Sequence, residues 1–127
     1  MHTASFAGTV TGVELSPQAI ECAQLSAARN AVTNTTFVAE SVDPFLARTA
    51  LRPNLIICNP PRRGLSGETI AQLLRLAPRR ILYSSCNPVT LFRDLAACSS
   101  YRITSLAPFE MFPLTEHLEV VACLDLL

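Results

Sequence analysis

The stretch Arg80-Ile81-Leu82-Tyr83-Ser84-Ser85-Cys86-Asn87-Pro88 decides how this chain folds. Arg80 to Ser84 reads as an apolar strand. Asn87-Pro88 then reads as a helix N-cap followed by proline at the first helical position, where its missing N–H is no loss. A helix carrying Leu91, Leu95 and Cys98 begins immediately beyond Cys86. A strand that runs straight into a helix is the unit of a parallel α/β sheet.

The same unit recurs upstream. Thr9 to Val13 is a strand, Ser16-Pro17 repeats the cap-and-proline signature, and a helix to about Asn30 buries Ile20, Ala23 and Ala27. Thr36 to Val38 is a second strand. Asn54 to Cys58 is a third, and its Leu-Ile-Ile run lacks alternation, which predicts burial on both faces. Ser66 to Ala77 places Ile70, Leu73, Leu74 and Ala77 at helical spacing. Downstream, Tyr101 to Ala107 and Glu119 to Leu126 follow one another with no helical segment between them. They predict an antiparallel pair that ends an otherwise mostly parallel sheet. In open sheets of this class ligands bind beyond the carboxyl ends of the strands, and Glu14, Glu40, Asn59 and Cys86 all fall there.

A length of 127 residues, 50% of them hydrophobic and 16% charged, fits one domain with a buried core. The formal net charge is zero, and all ten basic residues are Arg. Arg62/Arg63 and Arg79/Arg80 are pairs rather than runs, so nonspecific electrostatic capture of nucleic acid by the chain alone is weak. Arg62 and Arg63, beside a Pro-Pro loop, either fork onto phosphate or are solvated loop charges. Five Cys without a CxxC pair, and in odd number, speak for a reduced cytoplasm rather than a disulfide framework. With two His and no cluster at ligand spacing, no metal site is expected. Neither a leader segment nor a membrane span is expected. The glycines form no GxGxxG, P-loop or GxSxG pattern.

Cys86, between a strand and a helix N-terminus, sits where unpaired N–H groups and the helix dipole favour an anion, which suits a nucleophile. The alternative, a buried inert thiol, is the reading for Cys22, Cys58, Cys98 and Cys123. Asn59, stiffened by Pro60 and Pro61, offers an amide to a nucleobase edge or simply ends a strand, with Gly64 relaxing the loop beyond. Glu14 either accepts both hydroxyls of a ribose or is a favourable charge ahead of a helix. Glu40 reaches a purine ring or is a solvated carboxylate. Glu119 opens an apolar strand, where partial burial makes a carboxylate a useful base; otherwise it is an edge-strand charge.

These residues resemble those of the S-adenosylmethionine-dependent RNA uracil-5 methyltransferases, a family with bacterial members acting on 23S ribosomal RNA and on tRNA. The likeness lies in Val13-Glu14-Leu15-Ser16-Pro17-Gln18-Ala19, in Asn59-Pro60-Pro61-Arg62-Arg63-Gly64, in Tyr83-Ser84-Ser85-Cys86-Asn87-Pro88, and in Met111 to Glu119 through His117-Leu118-Glu119. It implies a Rossmann-like class I methyltransferase sheet, with Cys86 adding to C6 of uracil and Glu119 removing the C5 proton. It further implies that Glu14, Glu40 and Asn59 serve the cofactor, and that Asn59, Arg62 and Asn87 serve the RNA. Many relatives have Asp where this chain has Asn59. The ribosomal branch tolerates Asn, so rRNA is the expected substrate rather than tRNA.

The family places a first strand and a Gly-rich cofactor loop before the segment at Glu14, where this chain has Met1 to Gly8. The resemblance therefore implies an N-terminally truncated catalytic domain over 1–127, without upstream RNA-binding domains. Such an open sheet is expected to bind S-adenosylmethionine poorly and to self-associate. Two rival expectations stand: a non-catalytic fold module, and an amino-methyltransferase of the Asn-Pro-Pro type, which has no use for Cys86 or Glu119.

Overall fold

In a computed structural model the chain is described over residues 2–111, 114–115 and 118–127. It forms two compact units, Met1–Thr49 and Ala50–Leu127.

The first unit opens with a short 3-10 turn, His2–Phe6, and continues as β1 (Val10–Glu14), α1 (Pro17–Arg29), β2 (Thr35–Ala39) and α2 (Val42–Arg48). The strands pair in parallel from Val10 opposite Thr35 to Glu14 opposite Ala39. Helix α1 begins as its sequence predicts: Ser16 Oγ accepts from the Ala19 N–H at 3.3 Å, and proline follows. Ile20 and Ala27 are buried, with Ala23 half-buried. Gly12 lies under the Phe37 ring, where a Cβ would come within 2.9 Å of Cδ1. Helix α2 is not anticipated by periodicity, because seven residues are too few to display it. Ser41, Asp43 and Pro44 mark its start, and buried Phe45 anchors it.

The second unit contains β3 (Leu55–Cys58), α3 (Gly67–Leu76), β4 (Arg80–Ser85), α4 (Pro88–Ala97), β5 (Tyr101–Phe109) and β6 (Glu119–Leu126). Its sheet has the order β3-β4-β6-β5. β3 and β4 are parallel, whereas β6 pairs antiparallel with both β4 and β5. Three strands thus run one way, and the predicted antiparallel pair places its reversed member, β6, between β4 and β5. Arg80 and Asp125, opposite each other on β4 and β6, form a two-bond ion pair at 2.6 and 2.9 Å that holds this register at the far end.

Alternation along β4 and β6 sorts the two faces of this sheet. Ile81 and Tyr83 of β4 and Val120, Ala122 and Leu124 of β6 form one buried cluster with Ile70 and Leu73 of α3 and with Leu91, Leu95 and Cys98 at α4. Strand β3 departs from expectation. Ile56 and Cys58, opposite Ile81 and Tyr83, pack on that cluster, but Leu55 and Ile57 are 43% and 52% exposed. The apolar run is covered on one face only, and within this sheet β3 pairs with β4 alone. Helix α3 ends a residue earlier than its spacing suggests: Ala77 turns left-handed at φ 45° as the cap and is exposed, and Leu76 takes the inward place.

Among the described residues no helix is long and apolar enough to cross a membrane. Leu91 is 0% exposed at the centre of the cluster. Leu91→Ala should therefore lower the unfolding free energy of this unit by about 3 kcal/mol, as measured by urea unfolding.

Candidate active site

The carboxyl ends of β3 and β4 and the start of β6 bring three of the candidate residues to one end of the second unit's sheet. Ser85, the last residue of β4, lies opposite Val120; Cys86 follows the one and Glu119 precedes the other. Cys86 and Glu119 thus share one end of the sheet.

A turn presents Cys86. Ser85 is buried, and its hydroxyl donates to the Asn87 carbonyl and accepts from the Asn87 N–H, both at 3.1 Å. Asn87 caps α4, its Oδ1 accepting from the Val89 N–H at 3.1 Å. The thiol between these two residues is exposed, unlike Cys98, which is buried, and Cys58, which is half-buried. Burial, with Cys98 and Asp94 adding to it, pushes the Cys58 thiol up to about 12, and burial also raises Cys98. Cys22, expected to be buried, is exposed on the outer side of α1.

The Asn59-Pro60-Pro61-Arg62 loop is held against α4. Gly64 N–H donates to the Pro61 carbonyl at 2.8 Å, closing a turn with Gly64 at φ 80°. Gly64 therefore tightens the loop rather than relaxing it. The Arg62 carbonyl accepts from Asn87 Nδ2 and Thr90 Oγ1, both at 3.0 Å. Asn87, expected to serve the RNA, thus has both ends of its amide on protein partners. Asn59 and the Arg62 residue as a whole are exposed at this end of the sheet.

Behind the loop lies a group that sequence reading missed. Asp94 is 1% exposed, and its Oδ2 accepts from Tyr83 OH at 2.6 Å and from the Leu65 N–H at 2.7 Å. Its Oδ1 accepts from Arg93 Nε at 2.8 Å and Nη2 at 2.6 Å, and Nη2 also donates to the Arg63 carbonyl at 2.9 Å. Burial, with the bond to Asp94 added, pushes the Tyr83 hydroxyl well above its ordinary range. The signal was available: with Leu91, Leu95 and Cys98 facing inward, Asp94 falls on the same stripe of α4. An open depression of about 430 Å³ lies beside this group against Arg63, Leu65, Ile70 and Arg93, and none of the three residues at the sheet end borders it.

Glu119 is half-buried, and Ser84 Oγ donates to its Oε1 at 2.5 Å. His117, with Phe112, Pro113 and Glu116 of the same segment, lies outside the described residues. In the first unit Glu14 and Glu40 are brought together at the ends of β1 and β2, with Glu40 N–H donating to the Glu14 carbonyl at 3.0 Å. Glu14 is exposed, one carboxylate oxygen accepting from the Ser16 N–H at 2.9 Å. The Glu40 carboxylate is instead taken by Arg48. Among the described residues no cluster of His, Cys, Asp or Glu is placed to hold a metal.

A Rossmann-like sheet with a reversed strand set before its last neighbour, and polar groups at its carboxyl ends, defines a class I methyltransferase domain. An rRNA methylase from Streptococcus thermophilus shares that fold at a TM-score of 0.73 and 12% identity, over 98% of this chain and 76% of its own. The chain belongs to the tRNA (uracil-5-)-methyltransferase family, whose pattern matches residues 1–126. It is 44% identical over 124 residues to a 23S rRNA (uracil(747)-C(5))-methyltransferase of Vibrio cholerae, covering 98% of this chain and 33% of that protein. The Shewanella baltica protein of the same name is 46% identical over 127 residues, with 98% and 32% covered. The tRNA (uracil-54, C5)-methyltransferase of Pyrococcus abyssi, solved with S-adenosyl-L-homocysteine, superposes at a TM-score of 0.83 with 34% identity, over 95% of this chain and 30% of that one. The chain thus spans about a third of the length of the curated relatives it matches.

Two outcomes follow from the site's geometry. Iodoacetamide at about pH 8 should label Cys86 and Cys22 in the native protein and Cys58 and Cys98 only after unfolding, as read by peptide mass mapping. Gly64→Ala would put a Cβ 2.4 Å from Asp94 Oδ2 at a positive φ. That variant should lose about 2 kcal/mol of stability or more, measured by urea unfolding.

Proposed function

We propose that this chain carries the reacting groups of an RNA uracil-5 methyltransferase acting through a covalent adduct, with rRNA as the substrate. The observation that carries the reading is the pairing of β4 with β6, which sets an exposed thiol and a half-buried carboxylate at one end of a sheet. Membership of the family and the rRNA-directed names of its bacterial relatives support it.

C5 of uracil is a poor nucleophile unaided. Cys86 Sγ adds to C6, forming a C–S bond and moving the C5–C6 electron pair into an enolate over C5, C4 and O4. S-adenosylmethionine, when bound, would supply the electrophilic methyl group for C5, with its thioether as the leaving group. Glu119 then removes the C5 proton. The freed electron pair restores the C5–C6 double bond and expels the Cys86 thiolate.

Of the acidic residues at the ends of β1 and β2, Glu14 fits a cofactor ribose better than Glu40 fits a purine. Glu14 stands exposed with one oxygen on the Ser16 N–H, whereas Arg48 already neutralises Glu40. Asn59 offers its amide to the uracil or the cofactor. The loop behind it, clamped by Asn87 and Thr90, holds Arg62 for the RNA backbone.

RNA containing 5-fluorouridine should trap the protein, because fluorine at C5 leaves no proton for Glu119 to take. A covalent protein–RNA band on denaturing gels that disappears in Cys86→Ala and persists in Glu119→Gln is the expected result. Methyl transfer to an exocyclic amine, with no adduct, would replace this reading with the amino-methyltransferase one.

A further inference from the structure

Ser84 occupies a strand position that suits an apolar residue. It is half-buried on β4, on the same face as Leu82, and lies opposite Val121 of β6, whose next same-face neighbour is Cys123. Valine or isoleucine packs well on such a surface, and a hydroxyl there is retained at a loss unless it finds a polar partner. The partner is Glu119, whose Oε1 accepts the Ser84 hydroxyl at 2.5 Å.

Register explains how the two meet. Ser84 is opposite Val121, and Glu119 precedes Val121 by two residues on the same face, so the pair is diagonal across β4 and β6. That separation suits one short and one long side chain. A carboxylate on a side chain with three free torsions samples several rotamers, and a proton transfer needs one of them. Anchoring one oxygen selects that conformation and leaves the other oxygen to take a proton.

We propose that Ser84 is a positioning residue for Glu119, holding its carboxylate in the conformation that collects the uracil C5 proton. The inference rests on the reading of Glu119 as the base. A hydroxyl both donates and accepts, so the contact survives the step: Ser84 donates to the carboxylate beforehand and accepts from the carboxylic acid afterwards. Because Glu119 acts only after the methyl group has reached C5, Ser84 influences the elimination of Cys86 and not its addition.

The test compares Ser84→Val, Ser84→Thr and Glu119→Gln in the full-length protein. Valine should keep or raise the melting temperature, since it suits a half-buried strand. Adduct formation with 5-fluorouridine RNA should proceed at the parental rate, because trapping does not need the base. On ordinary uridine RNA, Ser84→Val should lose roughly ten-fold in kcat, as expected for one hydrogen bond to a charged group. The ratio kcat/KM should be unchanged, because only a step after methyl transfer is slowed, so that KM falls with kcat. A covalent protein–RNA species should build up during that turnover. Ser84→Thr keeps the hydroxyl and should recover most of the rate.

Parental turnover by Ser84→Val would overturn the inference, as would an equal slowing of 5-fluorouridine trapping, which would mark a role in strand structure or at Cys86. Accumulation of adduct in Glu119→Gln but not in Ser84→Val would sink the Ser84 role and leave the base in place. Absence of adduct in Glu119→Gln would remove both.

Discussion

The carboxylate of Asp94 is the constraint on which the second unit depends. A buried acid must be neutralised or fully hydrogen-bonded, and this one takes four donors from three different parts of the chain: Tyr83 on β4, the Leu65 amide in the loop, and two from the neighbouring Arg93. Removing any one of them leaves a partly unsatisfied charge in the core, so strand, loop and helix are obliged to keep their mutual placement. Gly64 is a corollary. The loop passes so close to Asp94 and Arg93 that only a residue without a side chain fits. Cys86 inherits its position from this arrangement, because it sits between the strand that carries Tyr83 and the helix that carries Asp94.

Much of this was legible in the sequence because the informative signals are local. A cap residue followed by proline marks α1 and α4 without reference to anything distant, and an alternating or unbroken apolar run marks β4 and β6. Cys86 was legible for the same reason, since strand, thiol, cap and proline are contiguous. What escaped needs knowledge of which strands are neighbours. The bond from Ser84 to Glu119 and the exposed face of β3 both follow from strand order, and strand order is a property of the whole sheet. Helix α2 escaped for a different reason, its brevity. Asp94 is the intermediate case: its place on the inward stripe of α4 is visible locally, but the partners that make it tolerable are not.

The two halves of the proposed chemistry draw on different kinds of stiffness. Cys86 is held by a turn closed within a few residues, through Ser85 and Asn87 Oδ1, with one longer-range bond from Asn87 Nδ2 to the Arg62 carbonyl. Glu119 is held across strands, by ladder pairing and by one side-chain contact. A local turn forms whenever its sequence does; a cross-strand contact forms only when the sheet has closed. Addition and elimination are thereby assigned to groups with unequal tolerance of damage, and distortion of the sheet should spare the first step longer than the second.

The reversed strand bears on how the protein is made. β6 follows β5 in sequence, yet it lies between β4 and β5 and contributes Ala122 and Leu124, among the most deeply buried residues of the unit. On the ribosome, β5 emerges before the strand that must separate it from β4, so the nascent chain has to leave a vacancy in its sheet until β6 has followed. During that interval the turn that presents Cys86 can already exist while Glu119 has yet to take its place. On the proposed chemistry, a chain halted before β6 would hold the thiol that adds without the carboxylate that permits release, so an incomplete copy would endanger the substrate as well as itself.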